Sequence, residues 1–172
     1  LPRSDQYFGA ERVFGQEAPT PDQQPSDGLD MVRLIPDADA AIVTPRAKDL
    51  DSYRPGVPQS LDQAIRWFVV ASAARRARGQ RAHSSMLIHT SARVKAHFGV
   101  AEAVNRHVQH LRTQGVDESF KGCFDAEIAR VAGETTPPQW PDVAPHIVDV
   151  LTEVSTIVDN GSSDDRLNYR RT

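Results

Sequence analysis

Where the prolines fall sets the first limit on what this chain can become. Eight of its twelve prolines lie within residues 1–58, among them Pro19, Pro21, Pro25, Pro36, Pro45, Pro55 and Pro58. Proline fixes φ and lacks a backbone donor, so long helices and interior strands are not expected there. Gln16 to Asp27 reads as a polar loop. Met31 to Ile35 alternates as a short strand would, and Ala40 to Val43 suggests another short element. Residues 1–58 are therefore expected to be irregular, either an extended arm or linker or a native part of the domain. Residues 59–172 carry the regular pattern.

In that second region Ser60 is a candidate N-cap, and Leu61, Ala64, Ile65, Phe68 and Ala71 follow at helical spacing. This helix is expected to reach Arg78 and to stop at Gly79. A second helix fits Ala92 to Thr113, with Val94, Phe98, Ala101, Val104, Val108 and Leu111 on one face, and ends at Gly115. A third fits Glu118 to Ala132 and buries Phe120, Phe124, Ile128 and Val131. Gly133 to Pro141 reads as a linker carrying Trp140. A fourth helix turns Val143, Ile147, Val150, Leu151 and Val154 inward. Ser85 to Thr90 and Ser155 to Asn160 are compact apolar runs that read as buried strands. Two strands separated by helices need a crossover connection and parallel pairing. Two strands alone do not make a stable sheet, so further strands are expected from the N-terminal half or from sequence outside this chain. The expected class is α/β, a partial parallel sheet flanked by helices.

Composition narrows the function classes. Hydrophobic residues make up 39% and charged residues 25%, the balance of a globular chain rather than a disordered one. A formal charge of −3 leaves no global basic field, so any contact with nucleic acid has to come from a local patch. No apolar run approaches the length of a membrane span, and the first residues do not read as a signal peptide. Cys123 is the single cysteine, which excludes an internal disulfide and a cysteine-based zinc site and points to a cytoplasmic location. The chain begins without methionine and ends on Tyr169-Arg170-Arg171-Thr172, so a piece of a longer protein is expected.

The motifs that are missing matter as much. There is no G-x-x-x-x-G-K-[ST], no G-x-G-x-x-G and no G-x-S-x-G. Pro36-Asp37 could open a metal-dependent nuclease pattern, but Arg46-Ala47-Lys48 puts arginine where the second carboxylate belongs. Without it Mg²⁺ has too few ligands. His107 and His110 stand three apart on a helix, a spacing that allows joint metal binding. No carboxylate is placed in the sequence to complete that set, so no metal ligands are assigned. Cys123, among Phe120, Phe124 and Ile128, reads as a small buried hydrophobe.

Two polar groups remain. Arg75, Arg76, Arg78 and Arg81 form the one dense basic cluster, with Arg66 earlier on the same helix. They either oppose the negative end of the helix dipole or contact phosphates, for which guanidinium is well shaped. His83 and His89 flank the first apolar strand, six residues apart, and either cap backbone groups or edge a site.

Three stretches together resemble the Z1 domain of bacterial proteins classed as endonucleases. They are Tyr7-Phe8-Gly9-Ala10-Glu11-Arg12-Val13-Phe14-Gly15, Ser60 to Arg66 continuing into Arg75 to Gly79, and His83-Ser84-Ser85-Met86-Leu87-Ile88-His89-Thr90-Ser91. Asn160-Gly161-Ser162-Ser163 with Tyr169 is similar to the segment that follows in that family. The resemblance implies a link to superfamily II helicase-like ATPase modules in DNA restriction and repair, and a RecA-like sheet. It implies ATP and Mg²⁺ for the full-length protein, with the family's phosphate loop and acidic motif before Leu1 and a later Gly- and Arg-containing motif beyond Thr172. No cofactor is expected within this chain itself.

The expected function is then an internal segment of a DNA-directed endonuclease or helicase-like ATPase, contributing DNA contact or positioning rather than a complete active site. Its partners would be DNA, through a local basic patch, and the remaining domains of the same protein, with no membrane role. Arg75, Arg76, Arg78 and Arg81 are the candidates for phosphate contact. His83, Ser84, Ser85, His89 and Ser91, with Asp159 and Asn160, are the polar candidates at the strand ends, where open α/β sheets place ligands. Tyr7 and Glu11 match the family motif without an assigned role, and no catalytic residue is named. The alternative is a non-catalytic protein-interaction module with an exposed apolar patch. A self-contained metal hydrolase lacks visibly converging His, Asp and Glu.

Overall fold

The computed structural model describes residues 10–16, 22, 26–29, 31–131 and 136–160. They fall into two compact units, Leu1–Leu34 and Ile35–Thr172. In the first, α1 (Ala10–Phe14) runs into a two-residue antiparallel pairing of β1 (Gly15–Gln16) with β2 (Ser26–Asp27). Met31 to Ile35 is not a strand. The segment has no ladder partner and its side chains are exposed, so alternation alone had no surface to bury against.

The second unit is helical. Pro36 precedes α2 (Asp37–Val43), where Ala40 to Val43 finds its place, and a 3-10 turn follows at Ala47–Ser52. α3 (Gln59–Ala77) starts directly after Pro58, which is its N-cap residue in place of Ser60. The Ser60 amide instead donates to Asp39 Oδ2 at 2.8 Å, so a carboxylate from α2 serves the first turn of α3. That contact holds the Asp39 carboxyl below its ordinary range. α4 (Val94–Gln114), α5 (Glu118–Val131) and α6 (Trp140–Glu153) complete the bundle.

Packing follows the apolar stripes. α3 buries Ile65, Val69, Val70 and Ala73 and packs most extensively on α6, and also on α5. α6 answers with Val143, Ile147, Val150 and Leu151 at i, i+4, i+7 and i+8. Phe120 and Leu111 are fully buried at the centre. Trp140 opens α6 rather than sitting in a linker, and its ring lies 5.4 Å from that of Phe124. Phe98 departs from its expected place and is about half exposed.

The α/β expectation fails. Among the described residues the β1–β2 pairing is the only sheet, and no RecA-like parallel sheet exists. Residues 85–90 and 155–160 lie outside helix and strand and alternate in exposure as extended chain does, but no backbone–backbone hydrogen bond joins either of them to another described residue. The reading of both runs as buried strands fails with the sheet, although exposure alternates along each of them. Met86, Ile88 and Thr90 are partly buried while Leu87 and His89 are exposed, and Thr156 and Val158 are partly buried while Ile157 and Asp159 are exposed. Ile88 packs against the helical core rather than in a ladder. Alternation records burial on one side, and burial on a helical bundle satisfies it as well as burial in a sheet.

Candidate functional site

The basic cluster is built by the way α3 ends. Gly79 takes φ 73°, a conformation that costs glycine little. Gly79 N then donates to Arg76 O at 2.8 Å and Gln80 N to Arg75 O at 2.9 Å, the bond pair of a Schellman motif. The reversal brings the following chain back toward the helix end. Arg75 donates to the His83 carbonyl at 3.4 Å and to Ser84 Oγ at 2.6 Å, and so pins the start of the first extended segment. Arg76 forms a two-pronged pair with Glu153 at 3.2 and 2.7 Å, beside the start of the second. Two of the four arginines are thus engaged within the chain. The side chains of Arg78 and Arg81 are exposed and make no hydrogen bond or ion pair among the described residues.

The far ends of both extended segments meet at one side chain that sequence reading missed. His97, in the first turns of α4, approaches the Ser91 carbonyl at 2.7 Å through Nε2. A carbonyl only accepts, so Nε2 carries the proton and Nδ1 holds the lone pair. Nδ1 lies 3.5 Å from Asn160 Nδ2, which donates to it. The His89 ring stands 6.2 Å away, tilted. One segment follows α3 and the other follows α6, whose end Arg76 holds beside that of α3, and both finish at His97. The available signal was position: a histidine in the first turns of the helix that follows the Thr90-Ser91 end.

The predicted polar residues thus divide into two groups. Ser91, His89 and Asn160 gather at His97, next to Asp159 in sequence. His83 and Ser84 sit at the opposite end with Arg75, and Ser85 is exposed on the segment between. The His97 contact goes to the Ser91 backbone, while Ser91 Oγ accepts from the Arg93 amide at 3.1 Å. That geometry is a latch rather than a nucleophile with its base. Glu11 lies in α1, and Tyr7 lies outside the described residues, as does the tail from Gly161.

A second polar network lies between α3, α4 and α5. Asp62 Oδ1 is 2.6 Å from His107 Nε2 and 3.0 Å from Arg66 Nε, and Arg66 reaches Asp117 Oδ1 at 3.1 Å. Asp117 accepts the Ser119 and Phe120 amides and so caps α5. The Arg66 guanidinium lies 4.8 Å over the Phe120 ring. Nearby, burial pushes the Cys123 thiol up to about 11, aided by Glu127, which leaves little thiolate at neutral pH. Among the described residues no group of three or more His, Cys, Asp or Glu is placed to hold a metal ion. No described helix is long and apolar enough to cross a membrane.

Compared with known proteins, residues 60–172 match the family model described as the Z1 domain. No curated protein and no solved structure matches the chain.

Proposed function

The chain belongs to the Z1 domain family, whose model covers well over half of it, and from that premise we propose that it is a DNA-contacting, positioning segment of a DNA-directed endonuclease or helicase-like ATPase. The observation that carries this reading is the pair Arg78 and Arg81, exposed and uncommitted while Arg75 and Arg76 brace the turn that presents them. Guanidinium groups held near a rigid helix end suit phosphate oxygens and give contact without base preference. The residues present do not fit a nucleotide with its magnesium. The sequence has no phosphate-binding glycine loop, and the described acidic and histidine side chains do not converge in threes.

Supercoiled plasmid incubated with the purified chain and Mg²⁺ or Mn²⁺, with and without ATP, tests this division of labour. The reading expects a low-salt mobility shift and no nicking. Metal-dependent nicking that disappears in Arg75→Ala/Arg76→Ala or His83→Ala/His89→Ala variants would move the chemistry into these residues and overturn it. The second reading, a protein-interaction module, draws on Leu87 at 89% and Ile157 at 41% exposure on the outward sides of the extended segments. A chain that shifts no DNA at low salt favours that reading.

A further inference from the structure

Sequence spacing put His107 and His110 on one face of α4 but offered no carboxylate beside them. The fold supplies one from α3. Asp62 Oδ1 lies 2.6 Å from His107 Nε2, and an ionised carboxylate only accepts, so Nε2 carries the proton. Nδ1 is then the nitrogen left to meet a ligand, and it has no partner among the described residues. Asp62 is itself fixed by Arg66, and Arg66 by Asp117, so the ring is braced through a chain that spans three helices. His107 lines a surface concavity together with His110, one turn further on, and with Pro55, Gly56 and Arg106. The charge of Arg106 is matched by Glu102 within α4.

We propose that His107 and His110 bind a divalent transition ion of the class that favours imidazole, Zn²⁺, Cu²⁺ or Ni²⁺, with water filling the remaining positions. Metal-ligating histidines characteristically donate their second ring N–H to a carboxylate, which fixes the tautomer and raises ligand basicity. Asp62 stands in that role to His107, and Arg66 and Asp117 keep it there. Imidazole nitrogen suits these ions, whereas Mg²⁺ and Ca²⁺ require oxygen ligands that the concavity's histidines do not offer. The site is distinct from the arginine pair at the end of α3 and stands independently of DNA contact.

Titrating Zn²⁺ into the whole chain, followed by calorimetry and by ¹H–¹⁵N spectra of the imidazole rings, tests this site. The expected result is one equivalent bound, with the His107 signal reporting Nδ1 coordination and His110 shifting with it. His107→Gln and His110→Gln should each weaken binding at least tenfold, and Asp62→Asn by about 10–100-fold. His110 is exposed and contributes nothing to the core, so its variant keeps the fold and guards against misreading an unfolded Asp62 or His107 variant. Unchanged affinity in His110→Gln, ring shifts confined to His83, His89, His97 or His146, or no binding at millimolar Zn²⁺ each overturns the proposal.

Discussion

Two glycines inside helices show how differently one residue type serves this chain. At Gly99 in α4 an added Cβ would stand 2.9 Å from Tyr53 Cδ1 and 3.4 Å from Pro55 Cδ. The Tyr53 ring is tethered by its hydroxyl, which donates to the Ile42 carbonyl at 3.0 Å, so it does not simply swing away. Gly122 in α5 has nothing within 4 Å of the same position. Alanine gains about 1 kcal/mol of helix propensity at either site, but overpacking a filled contact costs about 1–3 kcal/mol. Gly99→Ala is therefore expected to lower the urea midpoint and Gly122→Ala to raise it. A Gly99→Ala protein more stable than the parent would show that the loop before Pro58 does not press on α4.

Arg112 ties elements together in a way no periodicity announces. From α4 it donates to the carbonyls of Leu151, Thr152 and Val154, where α6 ends without a C-terminal glycine. Charged donors to carbonyls that otherwise go unpaired contribute about 1.5–3 kcal/mol. Arg112→Ala should accordingly destabilise by about 2 kcal/mol in chemical denaturation, with the amides of residues 150–154 losing most hydrogen-exchange protection. Loss of protection spread evenly over α4 instead would contradict the capping role. The four long helices were legible in sequence because each carries its stripe: Ile65, Val69 and Ala73, or Val143, Ile147 and Val150, are enough to define an inward face. The Gly79 and Gly115 stops were legible for the same local reason, and both take positive φ. What failed was the strand reading. Ser85 to Thr90 is a compact apolar run, but whether such a run pairs in a sheet or lies unpaired is a long-range fact that its composition does not encode. The Asp39 contact to α3 and the Asp62 contact to His107 were invisible for a related reason, since 21 and 45 residues separate the partners.

At the scale of the whole molecule, the proposed DNA contact sets a formally acidic chain against a polyanion, so local geometry has to supply it. The net charge of −3 opposes approach, while Arg78 and Arg81 stand clear of the ion pairs that occupy Arg66 and Arg76. The sequence showed four arginines as equivalent candidates. The fold separates them into two that brace and two that are presented, a distinction that depends on Ser84 and Glu153, the latter from the opposite end of the bundle's sequence. The most direct measurement is the affinity for a short DNA duplex by fluorescence anisotropy across a salt series, for the parent chain and for Arg78→Ala/Arg81→Ala. Each phosphate neutralised contributes about 0.9 to the slope of log affinity against log salt. The account predicts weak, salt-sensitive binding whose slope falls by about 2 in the double variant, with the thermal midpoint unchanged. Equal slopes and equal affinity in the two proteins would contradict it.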